Sequence, residues 1–416
     1  MIFETVALLL VNILIITFIF VMLKIYNISF LYFLFHLTLA FMINLEGISI
    51  NLPMVSSMDI LVTSFLMIIF SVQLISTKIS IPKYFIAFFI NIASALISLF
   101  WSPVIVESFL FILRQIFFGI LMLIVLNYKM SFERLGALMK TWIVFSILPG
   151  IIAIFQVATK KGILLRENVG SDFWTRGYGL TSHPNFLAYY LMITILLLVI
   201  LYSSEIIHLK KRYFVLILII DFTALLITFS RGALIGLIIG LSIYFIIKDF
   251  RYLIWSPILF LIAALTPGVR YRLLELFDVS KLLESSSFAW RLMNWLRIIE
   301  KFDETIIIFG SGLKSAQYYF AYAPHNEYLG FLFENGLIGF LAFYSFLVYL
   351  FISYYEAYKN SLGREKQYFL SGIILLVVVF IVSIADNFFM VPSTAYYFWF
   401  YNGLLLGLIK KGYAKA

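Results

Sequence analysis

The chain has 416 residues, of which 63% are hydrophobic and 12% are charged, and its formal net charge is +9. Water-soluble globular domains average about 45–50% apolar and about 25% charged residues, so this composition excludes that class. The sequence contains no cysteine, which excludes disulfides, iron–sulfur clusters, thiolate nucleophiles and cysteine-ligated zinc. The apolar residues suffice for about thirteen crossings of about 20 residues each, which predicts a polytopic membrane protein.

Apolar runs of membrane-spanning length follow one another along the chain. They lie near residues 5–23, 28–43, 58–76, 84–100, 108–127, 141–158, 186–204, 213–229, 232–247, 252–266, 327–354, 367–385 and 395–409. Their length and continuous Leu, Ile, Phe and Val content favour spanning helices over buried strands. We therefore predict an all-α polytopic membrane protein with about 12–13 transmembrane helices. We predict a single transmembrane domain over 1–416, because no Gly/Ser-rich or Pro-rich linker divides the chain.

Lysine and arginine alternate between the connections of these runs. Every second connection is basic, as at 210–212 and 359–366, and basic short loops stay in the cytoplasm. The opposite connections without any Lys or Arg are 44–57, 101–107 and 386–394. Two longer connections on that opposite side, 159–185 and 267–326, are nevertheless basic. We predict that they are extracytoplasmic loops covering an active site.

The first candidate motif closes the shorter of these loops. Arg176 and Gly177 precede His183, Pro184 and Asn185, which stand directly before a spanning run. Polar residues beside a proline are an ordinary start of a helix, so His183 and Asn185 can be cap residues alone. An arginine has no capping role there, so Arg176 is a candidate for binding an anion.

The second motif, Ser230-Arg231-Gly232, joins two apolar runs with almost no loop between them. An arginine in such a tight reversal either extends to the membrane interface or faces a cavity of the protein. The glycines at 232, 236 and 240 form a small-xxx-small pattern that favours close helix packing. Packing accounts for the glycines and leaves Arg231 as a candidate functional residue.

The third motif lies within the longer outer loop. Residues 285–302 predict an amphipathic helix with Trp295 and Leu296 on its apolar face and with Asn294 and Arg297 on its polar face. Such a helix lies in the membrane interface. Arg291 belongs to the same helix and can instead turn towards a cavity.

The fourth motif marks the point where the longer loop returns to the membrane. His325 and Asn326 precede a spanning run that contains Glu327 and Glu334. A carboxylate inside an apolar helix is costly and usually has a partner or a function. Gly336 is expected to allow tight packing of this helix. A lone histidine is more often structural, but its polar neighbours make His325 a candidate catalytic residue.

The chain also lacks the usual devices for holding a diphosphate through a metal ion. It has no Asp-x-Asp pair and no Gly-x-x-x-x-Gly-Lys phosphate loop. We therefore expect no metal and no other cofactor, and any bound diphosphate would be neutralised by arginines, whose planar forks suit bidentate phosphate contacts. No nucleic-acid partner is expected.

These four motifs, in this order, resemble the O-antigen ligase/O-antigen polymerase superfamily of bacterial envelopes. The residues that carry the resemblance are Arg176, Gly177, His183, Pro184, Asn185, Ser230, Arg231, Gly232, Arg291, Trp295, His325, Asn326, Tyr328, Leu329 and Gly336. The resemblance implies a membrane-embedded glycosyltransferase of the type C-like fold in the bacterial inner membrane, with its active site facing the periplasm. Its donor would be a glycan on undecaprenyl diphosphate.

The resemblance also implies roles for individual residues. Arg231 and Arg291 would hold the diphosphate, and His325 would activate the acceptor hydroxyl. Candidate contacts to phosphate or glycan are Arg176, His183, Asn185, Asn326 and Tyr328. A ligase would use lipid A-core as the acceptor, whereas a polymerase would use another carrier-linked repeat unit, and both share these motifs.

Two other classes compete with this interpretation. A membrane transporter would use Arg114, Asp221 and Glu334 as a substrate or proton path, although no paired, interrupted helices indicate inverted repeats. The simpler explanation for two of these residues is an ion pair between Arg114 and Asp221. A peptidoglycan glycan-strand polymerase would fit the His-Asn and Ser-Arg-Gly motifs less well.

Overall fold

The computed structural model of the protein describes residues 79–128, 131–164, 174–274, 287–410 and 412. These residues form fifteen α-helices and one two-stranded ribbon. In chain order the helices are α1 Phe85–Ser98, α2 Ile105–Asn127, α3 Phe132–Phe145, α4 Ile147–Ala158, α5 Pro184–Ser203, α6 Lys211–Ile227, α7 Arg231–Lys248, α8 Trp255–Leu265, α9 Pro267–Leu274, α10 Ser287–Glu300, α11 Glu304–Phe309, α12 Ser315–Phe320, α13 Glu327–Asn360, α14 Gly363–Val382 and α15 Pro392–Lys410. The ribbon pairs β1 (Ile163–Leu164) with β2 (Thr175–Arg176) in antiparallel fashion.

The described helices confirm an all-α polytopic membrane protein. Within the described residues, six segments are long and apolar enough to cross a membrane: Ile105–Asn127, Phe132–Ala158, Pro184–Ser203, Arg231–Lys248, Glu327–Asn360 and Gly363–Val382. One further pair, Phe250–Leu265 and Pro267–Leu274, is bent by 97°. Ten of the predicted apolar runs coincide with helices. The predicted runs at 5–23, 28–43 and 58–76 lie outside the described residues.

The glycine series on α7 lies against two neighbouring helices, as its spacing indicates. A Cβ atom at Gly236 would come within 2.7 Å of Met192 Sδ and of Val382 Cγ1. At Gly240, a Cβ would come within 2.7 Å of Leu196 Cδ2. Met192 and Leu196 belong to α5, and Val382 belongs to α14. The glycines therefore allow α7 to pack closely on both helices.

Helix α13 breaks at Gly336, whose φ of 67° and ψ of 177° are not helical. The tight packing expected at this glycine is confirmed, because a Cβ atom there would come within 2.6 Å of Gly310 N. The residue also provides a left-handed φ that other residues adopt only with strain. The carbonyl oxygens left by the break at 333, 334 and 335 accept hydrogen bonds from Ser311 N, Gly312 N and Ser94 Oγ. The break separates a short first segment, which begins next to His325, from the long remainder of the helix.

Helix α10 forms where the amphipathic pattern predicts a helix, but the assignment of Asn294 to its outer polar face is wrong. Asn294, predicted on the outer polar face, is 3% exposed, and its side chain donates to the carbonyl of Ala323 at 3.5 Å. Leu292 and Leu296 are each 46% exposed. Exposed leucines agree with an apolar face that is turned outwards, whereas Asn294 turns inwards and satisfies a backbone carbonyl.

Candidate active site

His325 and Asp386 are joined at the point where α13 begins. His325 precedes the N-cap residue of α13, and its φ of 50° is left-handed. Its Nδ1 lies 2.9 Å from Asp386 Oδ1. Such a backbone conformation is uncommon outside glycine and is often retained at functional sites. The conformation holds the imidazole beside a carboxylate that lies 61 residues further along the chain.

Asp386 is almost completely surrounded by hydrogen-bond donors. Its Oδ1 also accepts from the backbone N–H of Asn387 at 2.9 Å. Its Oδ2 accepts from Asn185 Nδ2 at 2.9 Å and from the Tyr189 hydroxyl at 2.8 Å. An ionised carboxylate can only accept, so this set of donors indicates the charged form of Asp386. Asp386 thereby connects the start of α5 to the start of α13.

The electrostatic surroundings of Asp386 support the same protonation state. Burial raises the pKa of Asp386, but the hydrogen bond and charge of His325, the charge of Arg291 and the hydrogen bond from Tyr189 hold it well below its ordinary value. Because the carboxylate accepts, His325 Nδ1 carries the proton of that hydrogen bond. The other ring nitrogen, Nε2, makes no hydrogen bond within the described part of the chain. An imidazole held in this way presents Nε2 as a proton acceptor.

Arg176 supports the pairing of His325 and Asp386 indirectly, through Asn185. It is 8% exposed and lies on β2, whose partner strand fixes its position. Its Nε donates to the carbonyl of Thr228 at 2.7 Å, and its Nη2 donates to Asn185 Oδ1 at 2.7 Å. Arg176 therefore orients the amide that donates to Asp386. We call Arg176, Asn185, Tyr189, His325 and Asp386 together the Asp386 network.

His183 caps the helix that carries Asn185. Its Nδ1 accepts from the backbone N–H of Asn185 at 3.1 Å, and His183 is the N-cap residue of α5. Burial, followed by the charge of Arg176, lowers the pKa of His183 to about 4. The neutral imidazole is therefore the form that holds the start of α5 at neutral pH.

The Ser230-Arg231-Gly232 turn lies against the same network. Arg231 is the first residue of α7, and its Nη1 donates to the carbonyl of Arg272 on α9 at 2.7 Å. A Cβ atom at Gly232 would lie 3.0 Å from the hydroxyl of Tyr189. The turn thus links Tyr189 of the Asp386 network to the beginning of the longer loop.

Helix α10 brings Arg291 to the same region. The ring of Trp290 packs edge-on against His325, with 5.6 Å between the ring centroids. Trp295 Nε1 donates to the carbonyl of Pro324 at 2.8 Å. Arg291 lies between these two tryptophans in the sequence and is half-buried. Its charge lowers the pKa of Asp386. The structure therefore joins all four sequence motifs to the surroundings of Asp386 and His325.

Three other polar residues of the fourth motif hold the backbone around His325. Asn326 Oδ1 accepts from Leu329 N at 2.9 Å, which caps α13, and the Tyr328 hydroxyl donates to the carbonyl of Phe380 at 2.7 Å. Glu327 is 3% exposed, and its Oε2 accepts from Phe389 N at 3.1 Å. These contacts tie the start of α13 to α14 and to the segment that carries Asp386.

Sequence reasoning missed Asp386 and Tyr189. Asp386 is one acidic residue among seven scattered aspartates, and Tyr189 is one of 26 tyrosines inside an apolar run. The available signal was that Asp386 opens an outer connection without any Lys or Arg. No cluster of three or more His, Asp or Glu side chains that could hold a metal ion occurs in the described ranges.

Comparison with known protein families gives a match over the part of the chain that carries most of the candidate site. Residues 214–344 match the O-antigen ligase family model. The matched segment contains Arg231, Arg291 and His325 and ends before Asp386. The match confirms the resemblance to the O-antigen ligase superfamily and supports a glycosyltransferase of the O-antigen ligase/polymerase type. No curated protein matches the chain.

Proposed function

We propose that the protein moves a glycan from undecaprenyl diphosphate to a hydroxyl of lipid A-core, as an O-antigen ligase. The reaction takes place on the periplasmic face of the bacterial inner membrane, needs no metal and inverts the anomeric carbon. The observation that carries the proposal is the pairing of His325 Nδ1 with the Asp386 carboxylate at 2.9 Å. This pairing leaves Nε2 of an oriented imidazole as a base.

His325 acts on the acceptor in this mechanism. The acceptor hydroxyl oxygen attacks the anomeric carbon while its proton passes to His325 Nε2. The bond between that carbon and the diphosphate oxygen breaks, and its electron pair leaves with the diphosphate. Asp386 stabilises the imidazolium that forms and fixes its orientation, which is the role that a buried carboxylate has beside other catalytic histidines.

Arg231 and Arg291 act on the donor. Displacement of a diphosphate builds negative charge on the leaving oxygen, and fixed guanidinium groups stabilise that charge more in the transition state than in the ground state. Arg176 is assigned to positioning, because its guanidinium already donates to Thr228 and Asn185. His183, Asn326 and Tyr328 likewise position the network through their backbone contacts, and Asn185 does so through Asp386.

The test is transfer by the purified protein in detergent, with a carrier-linked glycan, an acceptor and a metal chelator. We expect product from the wild type, and none from Arg231→Ala or Arg291→Ala proteins that elute as folded monodisperse protein. Lysine at either position should restore little activity, since an ammonium group does not chelate two phosphate oxygens. Full activity of either alanine variant contradicts the assignment.

The acceptor separates the ligase from a polymerase of the same superfamily. Deletion of the gene should remove all long glycan chains from lipid A-core if the protein is a ligase. Cores capped by a single repeat unit would instead indicate a polymerase that joins carrier-linked units. The same comparison can be made in vitro by offering lipid A-core and a second carrier-linked unit as alternative acceptors.

The contacts of the intramembrane charges do not favour a transporter. Asp221 Oδ2 accepts from the Ser146 hydroxyl at 2.5 Å instead of pairing with Arg114. The Arg114 guanidinium lies over the ring of Phe111, 5.6 Å from its centroid, and Glu334 Oε1 accepts from Ala316 N at 3.2 Å. Each group therefore has a local partner of its own.

A further inference from the structure

A cavity of about 420 Å³ opens between α3 and α6, far from the Asp386 network. Lys140 on α3, His208 and Lys210 in the α5–α6 connection, and Tyr213 on α6 line it. We call this space the basic cavity. Helix α5 begins at Pro184 beside the network and ends at Ser203, just before this connection. Its 20 residues separate the two sites by about 30 Å.

The polar end of the basic cavity carries unneutralised positive charge. Neither Lys140 nor Lys210 forms an ion pair with any residue that the structure describes, and none of the residues lining the cavity is acidic. The guanidinium of Arg212 lies 4.8 Å from the ring centroid of Tyr213, which is one of the lining residues. By contrast, Arg364, in another basic connection, contacts Glu205 at 3.4 Å.

The other end of the basic cavity is apolar. Val144 lies one helical turn beyond Lys140 on α3, and Leu216 lies one turn beyond Tyr213 on α6; both line the cavity. Their side chains are 38% and 49% exposed, respectively. Along both helices, polar and cationic lining residues are thus followed by apolar ones. The phosphate and the acyl chains of an anionic phospholipid follow one another in the same order.

We propose that the basic cavity binds one anionic phospholipid of the cytoplasmic leaflet. Lys140 and Lys210 contact its phosphate, and the start of its acyl chains lies along Val144 and Leu216. Basic pockets between membrane helices on the cytoplasmic side recognise such head groups, and short basic loops place this end of α3 and α6 on that side. The proposal does not depend on the transfer reaction, because it concerns the opposite end of the protein.

The test compares lipid binding by the full-length protein in detergent, measured by native mass spectrometry during titration with phosphatidylglycerol or phosphatidylcholine. The wild type should bind phosphatidylglycerol more tightly than phosphatidylcholine. The Lys140→Gln/Lys210→Gln protein should lose about tenfold in affinity for phosphatidylglycerol. The matched control is Lys359→Gln/Lys366→Gln, which removes the same charge where both ammonium groups lie over tyrosine rings. The control should bind as the wild type does.

The proposal would be overturned by unchanged binding in the cavity variant, by an equal loss in the control, or by equal affinity of the wild type for both lipids. If the double variant does not fold, each single variant and the Lys140→Arg/Lys210→Arg protein give the same comparison, and the arginine protein should retain binding. Competition with inorganic phosphate distinguishes a free phosphate ligand from a phospholipid. If it displaces phosphatidylglycerol while Leu216→Ser binds the lipid normally, the ligand is a free phosphate and the lipid assignment is wrong.

Discussion

Asp386 and Asp221 are both buried, at 9% and 0% exposure, yet their surroundings differ. Asp386 accepts hydrogen bonds from His325, Asn387, Asn185 and Tyr189. Asp221 accepts one from Ser146, and its Oδ1 has no hydrogen-bond partner within the described residues. A buried carboxylate is charged only where donors compensate for lost hydration. Burial of an acid therefore does not identify a functional site, whereas the number and origin of its donors does.

The largest effect should come from Asp386→Asn, with Asp221→Asn as the matched control. The amide at 386 donates as well as accepts, so it favours the wrong tautomer of His325 and no longer balances an imidazolium. We expect glycan transfer to fall by roughly a hundredfold to ten-thousandfold. Asp221→Asn retains an acceptor for Ser146, so its transfer rate should stay within about twofold of wild type. An equal loss in both variants would show that burial alone matters.

The next effect tests how far the Asp386 network extends. Asn185→Ala removes both the donor to Asp386 and the acceptor of Arg176. We expect kcat to fall by about 10- to 100-fold with little change in KM, because Asn185 acts by orienting another group. Asn127→Ala, at the end of α2, serves as the control and should leave both constants unchanged. A rise in KM at constant kcat would indicate that Asn185 contacts substrate directly.

The helical part of the molecule could be predicted because each long apolar run must satisfy its backbone within itself in a membrane. The candidate site residues could also be selected, since arginines and a histidine beside apolar runs need an explanation. Asp386, the partner that they share, could not be predicted from the sequence. Asp386 meets Asn185 across 201 residues and His325 across 61, and no local pattern encodes such a contact. Similarly, the break at Gly336 depends on donors from two distant segments.

Two glycines of α7 separate effects on the Asp386 network from effects on packing. Gly232→Ala places a Cβ 3.0 Å from the Tyr189 hydroxyl, so the donor to Asp386 must shift by a few tenths of an ångström. We expect transfer to fall by about three- to tenfold with little change in thermal stability. Gly236→Ala instead meets Met192 and Val382 at 2.7 Å. It should cost about 1–3 kcal/mol of stability through overpacking. Thermal unfolding and transfer rates of both variants test whether Gly232→Ala mainly lowers transfer while Gly236→Ala mainly lowers stability.

The smallest effect concerns the pH dependence of stability at the start of α5. The pKa of His183 is lowered to about 4, below the ordinary value of about 6.5. Between these values the unfolded chain binds more protons than the folded one, so the free energy of unfolding falls as the pH drops from 6.5 to 4. Protonation of Nδ1 also removes the acceptor for Asn185 N.

His183→Asn isolates this contribution, because asparagine caps a helix without titrating. Between pH 7 and pH 5, the melting temperature of the wild type should fall by about 2–4 °C more than that of the variant. The ionised Asp386 does not confound the measurement: with its pKa held well below the ordinary value, its contribution is lost only at lower pH, as the carboxylate protonates. Parallel melting curves for the two proteins across this range would contradict the prediction, because they would show that the pKa of His183 is the same in the folded and the unfolded chain.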